Sequence, residues 1–122
     1  MAGAKMDGAG IEKMKTLETA QSQLQRVHGL VEQFAMAVKN AQPATIYGAQ
    51  IKRAGTPMVG LLKGQFGMIS DQLAAAMVVA GRTGSDKVRL RSLRETVAQV
   101  RTALEIAVAK TIELHTEKEE EH

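Results

Sequence analysis

Two long stretches of this chain place apolar side chains at alternating intervals of three and four residues. One covers residues 17–41 and the other covers residues 90–114. This spacing is the heptad pattern of helices that pack lengthwise at shallow angles. The first stretch carries Leu17, Ala20, Leu24, Val27, Val31, Phe34, Val38 and Ala41, and the second carries Leu90, Leu93, Val97, Val100, Leu104, Ala107, Thr111 and Leu114.

Turn residues divide the chain into three helical spans. Pro43 suits the opening position of a helix, where its missing N–H costs nothing, and Gly81 suits a helix end. The predicted helices therefore cover about residues 10–41, 43–81 and 85–118.

Because the three spans are of similar length, the pattern predicts an all-α fold. It is an antiparallel up-down-up bundle of three long helices with coiled-coil-like heptad packing. The middle helix is expected to be kinked or broken at Gly55–Pro57, since proline removes a helical hydrogen bond. A sharper turn there gives a four-helix bundle, the alternative architecture. Residues 10–118 form the single domain, between a flexible N-terminus at 1–9 and an acidic tail at 119–122.

The predicted middle helix is apolar on two sides. A core seam runs from Val59 to Ala80, and the opposite side, which is charged in an ordinary bundle helix, is mostly small or apolar. Gly60, Gly64 and Gly67 fall on that opposite side. Each costs about 0.5–1 kcal/mol relative to alanine in a helix, so the three together favour the close approach of another backbone. The predicted partner-binding residues are Gly60, Leu61, Gly64, Gly67, Met68 and Ala75.

The simplest partner for this side is a second copy of the chain, related by a two-fold axis. Two alternatives stay open. A fourth internal helix can cover the same residues, or they can line a pocket for an apolar ligand.

Charge is unevenly distributed along the chain. The net charge is +3, yet residues 50–101 carry nine basic and three acidic side chains. Four basic residues form one row on the last helix and are predicted as a phosphate-binding set for nucleic acid. They are Lys87, Arg91, Arg94 and Arg101. Basic residues beside a heptad seam also occur simply to shield the core, which is the structural alternative.

The residue inventory favours a non-enzymatic, cytoplasmic protein. There is no cysteine, which fits a reducing compartment and excludes thiolate chemistry. No apolar run approaches the roughly 18 residues that a membrane span requires. No catalytic motif, metal-ligand spacing or phosphate loop is found, so no catalytic residue, metal or cofactor is predicted.

Met14 and His115 lie near the two ends of the helical region. The pair resembles the ligands of four-helix haem cytochromes, which hold iron between a methionine on the first helix and a histidine on the last. In a three-helix up-down-up path the first and third helices are parallel, so these residues fall at opposite ends. That path excludes haem ligation.

The sequence therefore predicts a structural, adaptor or regulatory interaction module. It is expected to be a homo-oligomer, with a dimer favoured, that associates through the middle helix. The alternatives are a nucleic-acid-associated protein that uses the basic row, and a bundle that binds a small ligand or cofactor.

Overall fold

The computed structural model describes residues 5–82 and 84–116, which form four α-helices. The helices are α1 (Gly8–Lys39), α2 (Thr45–Leu62), α3 (Gly67–Gly81) and α4 (Asp86–His115). The all-α prediction is confirmed. The three-helix bundle is wrong, and the alternative four-helix bundle is the one that forms.

The four helices run up, down, up and down, and each packs against its two neighbours. The Glu32–Arg94 ion pair and the hydrogen bond between Asp7 and His115 join the α1 end of the chain to α4 in antiparallel order. Within the α2–α3 pair, the Ser70 hydroxyl donates a hydrogen bond to the Val59 carbonyl at 2.8 Å. The bundle is therefore an antiparallel ring of four helices around one core.

The predicted middle helix is interrupted at residues 63–66, not at Gly55–Pro57. Pro57 lies inside α2, and the chain reverses beyond Leu62 through a connection that includes Gly64. A continuous helix would carry Ile69 and Leu73 away from the bundle. Folding back buries both of them in the same core as Leu62, and that burial outweighs the helical hydrogen bonds lost at the turn.

The termini of the helices differ slightly from the prediction. α1 begins at Gly8, because the Asp7 carboxylate caps it by accepting the Gly10 N–H at 2.7 Å. α4 ends at His115. The predicted acidic tail at 119–122 lies outside the described residues, as do residues 1–4 of the predicted flexible N-terminus.

Helix lengths leave one end of the bundle with only two helices. At 1.5 Å per residue, α1 and α4 are about 45–48 Å long, whereas α2 and α3 are about 22–27 Å long. The α2–α3 hairpin therefore covers roughly half of the α1–α4 pair. Beyond it, α1 and α4 continue as a two-helix extension that closes at Asp7 and His115.

Both predicted heptad seams supply the core, with exceptions at their ends. Leu17 through Phe34 on α1 and Leu93 through Leu104 on α4 are buried at every seam position. Ala41 lies beyond α1 and is exposed, and Leu114 is 74% exposed. Leu114 falls in the two-helix extension, where no second pair of helices covers it.

A further seam on α2 was not anticipated, because two of its members are glycines. It repeats the three-and-four spacing. Gly48 approaches the α3 backbone so closely that an added Cβ would lie 2.5 Å from the Ala80 carbonyl oxygen, and Gly55 packs against the Met77 thioether. These glycines bring α2 and α3 together. The seam is Gly48, Ile51, Gly55, Met58 and Leu62.

Arg89 lies where all four helices meet. Its guanidinium donates to the Ala80 carbonyl of α3 at 2.7 Å and lies 5.4 Å from the ring centre of Phe34 on α1. A Cβ on Gly48 of α2 would be 2.6 Å from the same guanidinium. The cation thus binds near the negative end of the α3 dipole and stacks on an aromatic ring.

Gly48→Ala should lower the free energy of unfolding by about 1–3 kcal/mol, because the new methyl group collides with a backbone carbonyl that cannot rotate away. The measurement is urea unfolding followed by circular dichroism. Gly29→Ala is the matched control, since Gly29 is exposed within α1 and has open space around its Cβ position. It should raise stability by about 0.4–1 kcal/mol. Equal effects at the two positions would contradict the close α2–α3 approach.

Arg89→Ala should destabilise the fold by about 1.5–3 kcal/mol, because it removes a charged hydrogen bond to a helix carbonyl and the contact with Phe34. Arg91→Ala, at an exposed position two residues later, should change stability by less than about 0.5 kcal/mol. Thermal and urea melts of the two variants test the junction. Equal stabilities of Arg89→Ala and Arg91→Ala would show that the contacts of Arg89 do not stabilise the packing of the helices.

Candidate functional site

The six residues predicted to bind a partner are all exposed, although they do not share one helix. Gly60 and Leu61 lie in the last turn of α2, Gly64 lies in the connection, and Gly67 and Met68 begin α3. The three glycines therefore surround the turn between α2 and α3, and they do not lie on one side of a single helix. Nothing lies within 4 Å of a Cβ added at any of them, so they do not serve close packing within the chain.

No helix of the described chain covers these residues, which removes internal burial as an explanation for them. Met68 is 86% exposed, and Leu61 is also exposed. Further along α3, Ala75 and Val78 are exposed on the outer side, Val78 by 55%. We call the exposed set the hairpin face. It comprises Gly60, Leu61, Gly64, Gly67, Met68, Ala75 and Val78.

The hairpin face is poor in charge. Asp71 is the single charged residue of α3, although one side of this helix faces outward along its whole length. The inner side is fully used, because Ile69, Leu73 and Ala76 are buried in the core. α3 thus has apolar residues on both sides, which is typical of a helix with a contact on each.

The predicted basic row is exposed, but one member is already engaged. Arg94 forms a two-pronged ion pair with Glu32 of α1, with nitrogen–oxygen distances of 2.9 and 3.0 Å. The hydrogen bond from Arg94 lowers the pKa of Glu32, and the same bond raises the pKa of Arg94. Lys87, Arg91 and Arg101 are exposed and form no ion pair within residues 5–82 and 84–116.

Met14 and His115 lie toward the same end of the bundle, which corrects the three-helix argument that separated them. The two nitrogens of the His115 ring are nevertheless occupied. Nδ1 lies 3.1 Å from the Asp7 carboxylate, and Nε2 lies 3.0 Å from the Lys13 ammonium. Because an ammonium group only donates hydrogen bonds, Nε2 accepts a hydrogen bond from Lys13. Nδ1 therefore carries the ring proton and donates a hydrogen bond to Asp7. His115 therefore closes the two-helix extension and is not free to ligate haem iron.

Asp7 is the acceptor at the centre of this closure. The Gly10 N–H is the largest cause that lowers the pKa of its carboxyl, and His115 and Lys13 act in the same direction. Its own N–H donates to the His115 carbonyl at 3.0 Å. The first residues before α1 are thereby tied to the last turn of α4.

The described chain contains neither a metal-binding cluster nor a membrane-spanning helix. No three His, Asp or Glu side chains come together as a metal-binding group. None of the four helices combines the length and the apolar character needed to cross a bilayer.

A comparison of this chain with protein families, with curated proteins and with solved structures finds no match. The function proposed below therefore rests on the geometry of the chain.

Glu32→Gln should lower stability at neutral pH by up to about 1 kcal/mol, the range for a half-exposed ion pair. The folded-state pKa of Glu32 lies below its ordinary value of 4.5, so the carboxylate contributes stability above that pH. The contribution disappears as pH falls through the folded-state value. The free energies of unfolding of the wild type and Glu32→Gln, measured by urea denaturation between pH 7 and pH 2, should converge at the acid end. Glu18→Gln, at an exposed position in α1, is the control and should show no such convergence.

Proposed function

We propose that this protein is a non-catalytic helical-bundle interaction module that pairs with a second copy of itself through the hairpin face. Its role would be structural, adaptor or regulatory, in a cytoplasmic setting that suits a chain without cysteine. The observation that carries the proposal is the outer side of α3. This side exposes Met68 and Val78 to water and holds one charge.

Covering exposed apolar side chains of this size with a partner is energetically favourable. Burial contributes about 25 cal/mol per Å² of apolar surface, and contiguous exposed patches commonly mark association sites. Met68 and Val78 are ten residues apart, or about 2.8 turns, so they lie within about 80° of each other around α3 and border one outward stripe. Ala75 lies between them and leaves room for a neighbouring helix.

A two-fold axis gives these residues complementary partners. If α3 packs antiparallel on α3 of the second copy, with the axis near residue 73, Met68 comes opposite Val78 of the other copy. The same residue pair then recurs on both sides of the axis, as an isologous interface requires. Gly67 and Ala75 supply the low surface over which the two backbones can approach.

The corner between α2 and α3 extends this surface. Leu61 is exposed on the last turn of α2, and the Cβ positions of Gly60 and Gly64 are open. A second copy would meet few side chains here that it must displace. This is a different role for glycine from the one at Gly48, where the neighbouring backbone belongs to the same chain.

Nucleic-acid binding is the weaker candidate, because its predicted row is one residue short. Arg94 already pairs with Glu32, and breaking that pair would offset part of the energy of a phosphate contact. Lys87, Arg91 and Arg101 alone leave a shorter set of phosphate ligands than the sequence indicates.

Light scattering tests the proposal. At tens of micromolar the wild-type mass should be twice the 13.1 kDa of one chain. Met68→Glu should give the single-chain mass, because it replaces the most exposed apolar side chain of the contact by a charge. Gly64→Leu should also shift the mass toward the monomer, since it adds bulk at the corner.

Met36→Glu is the matched control for this experiment. Met36 is 58% exposed on α1, away from the hairpin face, so its substitution should leave the dimer intact. Thermal melts of all variants establish that each one folds. A wild-type monomer at this concentration, or equal dissociation by Met36→Glu and Met68→Glu, would reject the hairpin face as the interface.

A further inference from the structure

A cleft of about 450 Å³ lies between α1 and α2, and two arginines line it. Arg26 comes from α1 and Arg53 from α2, and Gln23 and Gln50 line the same cleft. The volume falls within the range of about 300–1,000 Å³ that small-molecule sites occupy. Neither arginine belongs to the predicted basic row, and neither belongs to the hairpin face.

We propose that this cleft binds a phosphomonoester of a small organic molecule, with Arg26 and Arg53 as the phosphate ligands. The inference is independent of self-association, because it uses other residues and can be tested on a monomeric variant.

The charge of the cleft is the first argument. Arg26 and Arg53 take part in no ion pair within the described chain, and α2 contains no acidic residue at all. On α1, the acid closest in sequence to Arg26 on its C-terminal side is Glu32, which is paired with Arg94. Two guanidinium groups thus share one cavity without a neighbouring carboxylate to balance them, and an anion would remove their mutual repulsion.

The geometry of the donors is the second argument. A guanidinium binds a phosphate through two parallel N–H bonds, and two guanidinium groups match the charge of about −1.5 to −2 on a phosphomonoester. Gln23 and Gln50 also line the cleft, and their side-chain amides can donate further hydrogen bonds to the phosphate oxygens.

The remaining wall of the cleft explains why the ligand carries an organic group. Leu30 and Pro57 line the cleft beside the two arginines and present apolar surface. A bare phosphate ion would leave most of this volume and this apolar wall unused. An apolar or ring-shaped substituent on the phosphate would contact both residues.

Isothermal titration calorimetry with phenyl phosphate is the direct test. Phenyl phosphate should bind more tightly than inorganic phosphate, because its ring reaches the apolar wall. Phenol should not bind, since it lacks the anion, and benzoate should bind more weakly because it carries one charge. The affinity for phenyl phosphate should fall as salt is added.

Substitutions then assign the site. Arg26→Gln and Arg53→Gln should each weaken phenyl phosphate binding by about tenfold or more, the loss expected for a charged hydrogen bond. Arg101→Gln is the matched control, at an exposed arginine of α4 outside the cleft, and should change the affinity less than about twofold. The Met68→Glu variant should bind as the wild type does.

Three results would overturn the inference. The first is the absence of binding by both phenyl phosphate and inorganic phosphate at millimolar concentration. The second is equal weakening by Arg101→Gln, which would indicate binding to net positive charge alone. The third is duplex DNA that displaces phenyl phosphate through Arg26 and Arg53, because the phosphate would then belong to a polymer. Circular dichroism melts confirm that the arginine variants remain folded.

Discussion

The packing of the four helices depends on one junction at which a charged side chain meets a largely apolar core. Arg89 of α4 donates to the last turn of α3 and stacks near Phe34 of α1, and Gly48 of α2 leaves the space that it fills. A side chain at position 48 would push α2 away from both. This close approach joins the first turn of α2, the last turn of α3 and the first turn of α4 at one end of the bundle. With only Phe34, Tyr47 and Phe66 as aromatic residues, the bundle relies on proximity of backbones instead of bulky side chains.

Glycine has two opposite uses in this chain, and the sequence alone does not separate them. Gly48 and Gly55 face the core and bring α2 against α3, whereas Gly60, Gly64 and Gly67 face solvent at the corner. All five interrupt apolar stretches in the same way. The distinguishing signal is periodic: Gly48 and Gly55 continue the spacing of Ile51, Met58 and Leu62. Admitting glycine to the three-and-four spacing identifies the inner side of α2 from the sequence.

The long seams of α1 and α4 could be predicted because they depend on local spacing alone. The reversal at residues 63–66 could not, since helix propensity continues through Leu62 and resumes at Gly67. Its stability comes from burying Ile69 and Leu73 in the core that α3 shares with α2 and α4, which is a tertiary effect. The sequence predicts a break at Pro57 because proline removes a helical hydrogen bond, yet Pro57 lies inside α2. The same limit explains Arg94, whose partner Glu32 is 62 residues away and is brought close only by the antiparallel pairing of α1 and α4.

The cleft between α1 and α2 could not be predicted from the sequence, because the residues that line it come from two different helices. Arg26 and Arg53 are far apart in sequence and are unremarkable in either helix. They share a cavity because the packing of α1 on α2 brings residues 23–30 beside residues 50–57. Since the inner side of α2 is committed to its glycine seam, ligand or partner contacts must use its flanks. Arg53 and Pro57 lie on the flank toward α1, and Leu61 follows Pro57 by one helical turn. A single helix, α2, therefore lines the cleft with Arg53 and Pro57 and contributes Leu61 to the hairpin face.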